Sequence, residues 1–144
     1  MAVSGSLSVG GLSGENFKGT IINCYSRGQV NGKYYVGGLV GCNWDGVINR
    51  CYSSGVVGSS YDVGGLVGNG LSSNVTQSFW DWQTSGQAHS DGGTGKTTAQ
   101  MKTRSTFTGE KWDFVGETAN GIKDIWLINE KQDYPRLWWE TEVP

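Results

Sequence analysis

One six-residue string recurs along this chain at a fixed spacing, and that spacing limits the available folds more than any other feature. Val-Gly-Gly-Leu-Ser-Gly runs from Val9 to Gly14, and Val-Gly-Gly-Leu-Val-Gly follows at Val36 to Gly41 and at Val63 to Gly68, 27 residues apart each time. A second block keeps the same offset. Ile21, Cys24, Tyr25, Ser26 and Gly28 map onto Ile48, Cys51, Tyr52, Ser53 and Gly55, and the third copy drifts to Val75, Ser78, Phe79 and Trp80. Read backwards, Val30-Asn31-Gly32 aligns with Val3-Ser4-Gly5, so the sequence opens inside an earlier copy and the array is expected to extend further N-terminally. A fixed period of this size marks a chain built of stacked or radially arranged supersecondary units.

The residues inside each copy choose between those options. Short Val/Ile/Leu/Tyr runs are separated by Gly and Asn, with none of the three-and-four apolar spacing of a helix. The 24 glycines disfavour helices and suit tight corners that need a positive φ. The expected fold class is all-β, a β-solenoid (β-helix-like) of 27-residue coils, each with two or three short strands. Coils stacked roughly 4.8 Å apart make a pile on the order of 15 Å. Equivalent residues then form columns: Leu12/Leu39/Leu66 and Ile21/Ile48/Val75 inside, and Tyr25/Tyr52/Phe79 as an aromatic stack. Ile21, Cys24 and Tyr25 cannot share one face of a regular strand, which predicts a bend or bulge between Ile21 and Cys24. A hairpin or propeller-like unit per repeat is the alternative.

Composition changes where the repeat stops. Residues 1–89 hold 8 charged side chains and 18 glycines, residues 90–144 hold 16 and 6, and six of the seven tryptophans fall from Trp80 onward. This divides the chain into repeats over 1–89 (a partial copy 1–8, then 9–35, 36–62 and 63–89) and a small mixed α/β segment over 90–144. Thr97-Thr98-Ala99-Gln100 has capping-box spacing and predicts a short helix through about Lys102 with Met101 inward. Ile125 to Ile128 and Leu137 to Trp139 read as strands around a turn at Glu130 to Pro135. An open solenoid end exposes strand edges, so residues 90–144 are expected to cap the last coil.

Val-Gly-Gly-Leu-Val-Gly followed by Ile-x-x-Cys-Tyr-Ser-x-Gly resembles the GLUG motif repeats of bacterial secreted and surface proteins. These include large adhesin-like proteins and non-catalytic parts of some immunoglobulin A peptidases. Ser78-Phe79-Trp80-Asp81, Gly92 to Met101, Trp112-Asp113-Phe114 and Tyr134-Pro135-Arg136-Leu137 resemble the blocks that follow such repeats in long exported proteins. The likeness covers residues 3–139 and implies a secreted or cell-surface location, with an export signal outside this sequence.

The motifs that suggest chemistry are thin. Gly92-Gly93-Thr94-Gly95-Lys96-Thr97 lacks the first glycine of a phosphate-binding loop, because position 90 is Ser90, and no apolar strand precedes it. Lys96 is therefore expected in a solvated turn. His89 is the single histidine, so neither a zinc peptidase centre nor an oriented nucleophile–histidine pair is expected. No cofactor is called for, and structural calcium in the Ser90-Asp91-Gly92-Gly93 turn is the alternative to a solvated turn. Cys24 and Cys51 share one repeat position and read as small laddered residues, with a bridge between neighbouring coils as the other reading. Trp80, Trp82, Trp138 and Trp139 are the candidate ligand-binding aromatics, weighed against simple core packing. Alternation along a strand would put Trp80 and Trp82 on one face and leave at least one of Trp138 and Trp139 exposed.

A net charge of −2 without a basic patch argues against nucleic acid, and no apolar stretch reaches the length of a membrane span. The sequence therefore reads as a non-catalytic structural or adhesive module, a rigid spacer or stalk. A carbohydrate-binding module using the C-terminal aromatics is the alternative. Candidate partners are surface glycans, other surface proteins, and a second copy meeting the N-terminal coil end to end.

Overall fold

The computed structural model describes residues 1–140, which divide into two compact units, Met1–Thr97 and a second beginning at Thr98. The first unit is the expected solenoid. The partial copy supplies β1 (Ala2–Ser4). The first full coil holds β2 (Leu7–Gly10), β3 (Ser13–Phe17), β4 (Thr20–Ile22), β5 (Tyr25–Ser26) and β6 (Gln29–Asn31). The second holds β7 (Tyr34–Gly37), β8 (Val40–Trp44), β9 (Val47–Asn49), β10 (Tyr52–Ser53) and β11 (Val57–Gly58). The third holds β12 (Tyr61–Gly64), β13 (Val67–Leu71), β14 (Asn74–Thr76) and β15 (Phe79–Asp81). Like strands pair in parallel across coils in five narrow sheets, and the register advances by the repeat length: Val9 meets Val36, Ile21 meets Ile48, and Tyr52 meets both Tyr25 and Phe79.

Each complete coil has five strands instead of two or three, and three positions per coil are left-handed: one inside the first strand and two between strands. Ser8, Tyr35 and Asp62 have φ of 52°, 53° and 47°, Lys18, Asp45 and Ser72 have 55°, 53° and 51°, and Asn23, Arg50 and Gln77 have 54°, 49° and 51°. The last set is the bend expected between Ile21 and Cys24. By resetting the side-chain alternation, it lets both residues of each pair turn toward one core. The expectation that glycines make the corners is corrected here: the positive-φ glycines are Gly86, Gly92, Gly93, Gly116 and Gly121, all beyond the last strand of the third coil. The repeat glycines serve close approach instead. A Cβ on Gly37 would lie 2.0 Å from Val40 O, and one on Gly38 2.2 Å from Gly65 O. Folding the coil this tightly leaves no room for a methyl group.

Two apolar clusters fill the interior. Val9, Val30, Val36 and Val57 form one, and Leu39, Val40, Ile48, Cys51, Leu66, Val67 and Trp80 form the other. Leu39 and Leu66 are buried as expected, but Leu12 is 47% exposed. Its N–H still donates to Leu39 O at 2.9 Å, so the register holds while the column ends at the first coil. The partial copy adds only β1, which stacks on β6 and leaves Leu12 uncovered on its outer side. Polar ladders run beside the apolar ones. Asn16 Nδ2 donates to Asn43 Oδ1 at 2.8 Å, and Asn43 Nδ2 to Gly46 O at 3.0 Å, which satisfies a side chain that is fully buried. The Tyr25 and Tyr52 rings stack at 5.0 Å with 3° between their planes.

After the third coil come α1 (Trp82–Ser85) and β16 (Thr94–Lys96), both within the first unit. The boundary expected at residue 90 thus falls at Thr97, because β16 pairs with β15 as a fourth rung. The second unit contains α2 (Thr98–Met101), α3 (Arg104–Thr108), the antiparallel pair β17 (Trp126–Leu127) and β18 (Arg136–Leu137), and a 3-10 turn over Trp138–Glu140. Met101, Phe107, Trp112, Phe114 and Trp126 are its core, with ring centroids 4.8 Å apart for Phe107–Trp112 and 4.6 Å for Trp112–Trp126. The strand expected through Trp139 stops at Leu137, where Trp138 N–H donates to Ile125 O and Glu140 Oε2 accepts from Leu137 N–H. Among the described residues no helix is long and apolar enough to cross a membrane.

Candidate functional site

Three features have the makings of a site, and the first is the C-terminal edge of the third coil. Its unpaired backbone donors are met by side chains instead of another full coil. Ser90 Oγ accepts from Leu66 and Val67 N–H at 3.2 and 2.9 Å, and Asp91 Oδ2 accepts from Gly70 N–H at 2.8 Å. Thr84 Oγ1 and Gln87 Nε2 donate to the carbonyls of Ser54 and Val57. Asp81 caps α1 by accepting from the N–H groups of Gln83 and Thr84. The Ser90–Gly93 turn that suggested calcium directs Ser90 Oγ and Asp91 Oδ2 at backbone N–H donors of the third coil. His89 takes part through its carbonyl, which accepts from Gly65 N–H. Lys96 lies in β16 with its ammonium 5.7 Å from the Phe79 ring centroid, not in the solvated turn expected of it. The string Thr94-Gly95-Lys96 pairs as a strand, a conformation that does not wrap a phosphate.

The four candidate tryptophans separate. Trp80 is buried against Gly65, where a Cβ would meet its Cδ1 at 2.0 Å, and its Nε1 donates to Gln87 O at 2.8 Å. It is a core residue, because β15 turns it inward beneath the third coil. Trp82 opens α1 and is 44% exposed, so it does not share a face with Trp80 as strand alternation required. Trp138 and Trp139 are 55% and 64% exposed, both outward in the 3-10 turn where strand geometry placed them on opposite faces. The remaining tryptophans of the C-terminal half, Trp112 and Trp126, are core.

The second feature is the thiol column. All three cysteines are free. The Cys51 thiol hydrogen-bonds to Cys24 and lowers its pKa to about 7, while that same contact and burial push Cys51 upward. Cys42 is raised by burial, partly offset by Ser8 Oγ at 3.4 Å. Laddering at one repeat position was legible in the sequence; the asymmetry within the pair was not, since it depends on Cys24 belonging to the less covered first coil.

A third feature had no sequence signal beyond the Tyr134-Pro135-Arg136-Leu137 block. The second unit holds a cavity of about 210 Å³ lined by Leu127, Asn129, Asp133, Tyr134, Arg136 and Glu140. Arg136 forms an ion pair with Asp133, and Lys102 Nζ lies 5.3 Å from the Tyr134 ring centroid. Among the described residues no group of three or more His, Cys, Asp or Glu side chains is placed to hold a metal ion.

Comparison with known proteins agrees with the repeat geometry. A protein of Evansella cellulosilytica, provisionally named a Gly-rich membrane protein, is 39% identical over 128 residues, 88% of this chain. The chain spans only 11% of that relative's length. No solved structure matches the chain significantly. The GLUG motif family matches twice in succession, and residues 5–31 and 32–58 are accordingly two GLUG repeats, each the length of one coil of the solenoid.

Proposed function

We propose that this chain is a non-catalytic spacer module of an exported, cell-surface protein, holding other parts of that protein away from the surface or presenting them for adhesion. The observation that carries this reading is the unbroken register of the coils. Leu39 N–H donates to Leu66 O just as Leu12 N–H donates to Leu39 O, and the apolar, asparagine and tyrosine columns run beside them. Such a stack makes a stiff element whose length scales with copy number. Side chains that elsewhere do chemistry are engaged in the ladders: Cys51 N–H donates to Ser78 Oγ, and Ser53 Oγ donates to Gly65 O. The name of the Evansella relative supports an envelope location, and the small share of it that this chain spans fits a module within a long protein. Antibody raised against this chain should label intact cells of the source organism without permeabilisation. Label confined to the cell interior overturns the reading.

The same reading gives the open first coil a partner. The outer edges of β2 to β5 carry the exposed Leu7, Leu12, Phe17 and Ile22. Unpaired strand edges bearing apolar side chains are templates for strand addition. A second copy of this chain is the proposed occupant, and sedimentation across a dilution series should show reversible dimerisation. Dimerisation should be lost in Leu12→Lys; a monomer at all concentrations refutes the pairing.

Carbohydrate binding is the second reading, favoured by the exposure of Trp82, Trp138 and Trp139. Exposed indoles offer an apolar platform with a polar edge.

A further inference from the structure

The first and second coils bring two thiols together at one repeat position. Ile21 pairs with Ile48 and Tyr25 with Tyr52, so Cys24 stands opposite Cys51, and Tyr52 N–H donates to Cys24 O at 3.1 Å. The two side chains share one orientation. Cys24 Sγ lies 3.2 Å from Ile22 O and Cys51 Sγ 3.3 Å from Asn49 O, in each case the carbonyl two residues earlier. Cys51 Sγ is also 3.7 Å from Ile21 O, so it leans toward the first coil. Adjacent coils lie roughly 4.8 Å apart, inside the range of about 4.4–6.8 Å between Cα atoms that a disulfide spans. Both thiols are free. Their column holds no third thiol, because Ser78 follows Cys51, and Cys42 stands in another column opposite Glu15 and Asn69.

Unequal burial gives the pair an order of reaction. Cys51 is fully buried in the cluster with Ile48 and Leu66, whereas Cys24 is half-buried at the border of the same cluster. A reagent from solution therefore meets Cys24 first. The contact from the Cys51 thiol also holds Cys24 down at a pKa of about 7, which supplies thiolate at neutral pH. The oxidant required is a dissolved small-molecule disulfide, RSSR. The Cys24 thiolate attacks one of its sulfurs, the S–S bond breaks and RS⁻ leaves, so that Cys24 carries a mixed disulfide. The contact that most strongly raises Cys51 is then gone. The Cys51 thiolate attacks Cys24 Sγ, expels the second RS⁻ and closes the bridge. The two cysteine protons pass through solvent to the two RS⁻ groups. Two protein thiols are oxidised, and one RSSR is reduced to two RSH.

We propose that Cys24 and Cys51 are a redox-active pair, Cys24 attacking and Cys51 resolving, which a small-molecule disulfide closes into a staple between the first and second coils. This goes beyond the spacer reading and does not depend on it. The test treats the folded, dilute full chain with oxidised glutathione at neutral pH, alkylates the remaining thiols and maps tryptic peptides. Lys18, Arg27, Lys33 and Arg50 put the three cysteines on three different peptides. The parent and Cys42→Ser should both yield the linked Cys24 and Cys51 peptides with circular dichroism unchanged, and dithiothreitol should undo the link. Cys51→Ser should stop at a glutathione adduct on Cys24. Serine fits this position, since Ser78 Oγ donates to Thr76 O as the cysteines face their own carbonyls. Cys51 in Cys24→Ser should take up glutathione at least about tenfold more slowly than Cys24 in Cys51→Ser. The proposal is overturned if the link never forms, if it forms only in urea, if Cys42 replaces either partner, or if Cys51 takes up glutathione as fast as Cys24.

Discussion

Glycine and left-handed backbone have exchanged places in the repeats, and this makes the effects of single substitutions calculable. Ser72 is exposed at φ 51°, a conformation that costs a residue with a Cβ about 1–2 kcal/mol. Ser72→Gly removes that cost against roughly 0.5–1 kcal/mol of added chain entropy, so a small gain in stability is expected in urea melts. Gly37→Ala has the opposite sign, because its Cβ would sit 2.0 Å from a backbone oxygen that cannot move aside; unfolded or strongly destabilised protein is the expected outcome. Leu39→Ala, in the covered middle coil, should cost about 2–5 kcal/mol. Leu12→Ala should cost well under half as much, since Leu12 is already 47% exposed. Equal losses at the two positions would mean that the first coil is not the end of the column. The cysteines add a chemical test at this scale. With its pKa near 7, Cys24 should be the thiol that iodoacetamide modifies first at neutral pH, its rate rising through a midpoint near 7, while Cys51 lags because its contact with Cys24 and its burial keep it protonated, and Cys42 because burial does. Peptide mapping that finds Cys51 labelled first would reverse the assignment within the pair.

The elements show which parts of the fold were legible in the sequence. A repeat states its own register, so the pairing of Val9 with Val36 and the stacking of Tyr25 on Tyr52 could be read from the 27-residue offset alone. The number of strands could not, because the residue type at each left-handed position changes from coil to coil, Lys18, Asp45 and Ser72 at one corner and Asn23, Arg50 and Gln77 at the other, so no position carries a consistent turn signal. The edge of the third coil was legible only as a need. That a cap must exist follows from unpaired strand edges, but Ser90 and Asp91 as its side chains are recognised only once their oxygens are seen opposite the Leu66, Val67 and Gly70 donors. Trp80 was open to both readings for a related reason: an aromatic at the end of a decaying repeat resembles a platform as much as a core residue in sequence, and it fills the last coil in space. The tryptophan pair at 138 and 139 was noticed, whereas the cavity was not, since apart from Tyr134 and Arg136 its lining comes from residues outside any block singled out in the sequence. If residues 90–97 close the stack, a fragment ending at Thr97 should melt cooperatively. A fragment ending at His89, deprived of β16 and of both capping side chains, should melt lower and aggregate. Double substitution of Ser90 and Asp91 by alanine in the full chain should cost on the order of 2–4 kcal/mol, because three buried or half-buried N–H donors lose their acceptors. Identical melts for the two fragments would show that the coil edge needs no cover.

At the scale of the molecule, the repeat makes length and stability functions of one integer. Interior coils bury what end coils leave open, as the contrast between Leu39 and Leu12 shows. Stability in such a stack is a sum of unit and nearest-neighbour terms. Inserting further copies of residues 36–62 between the second and third coils adds interior units and leaves both ends as they are. Each insertion repeats the second coil, so the Asn16–Asn43 and Tyr25–Tyr52 contacts recur between copies, while the third coil still meets an Asn43 and a Tyr52 through Gly70 and Phe79 as before. The chain should lengthen by about 4.8 Å per copy, or about 19 Å for four, along one axis. The midpoint of urea unfolding should rise with the first one or two copies and then level off, while the slope of the transition grows with the surface buried. Small-angle scattering reads the length and urea melts read the cooperativity, on chains with one, two and four added copies. A spacer requires both results together. Added copies that leave the maximum dimension unchanged, or that unfold in a separate transition, would show that the coils do not propagate as a single rod, and the stalk reading would have to be abandoned.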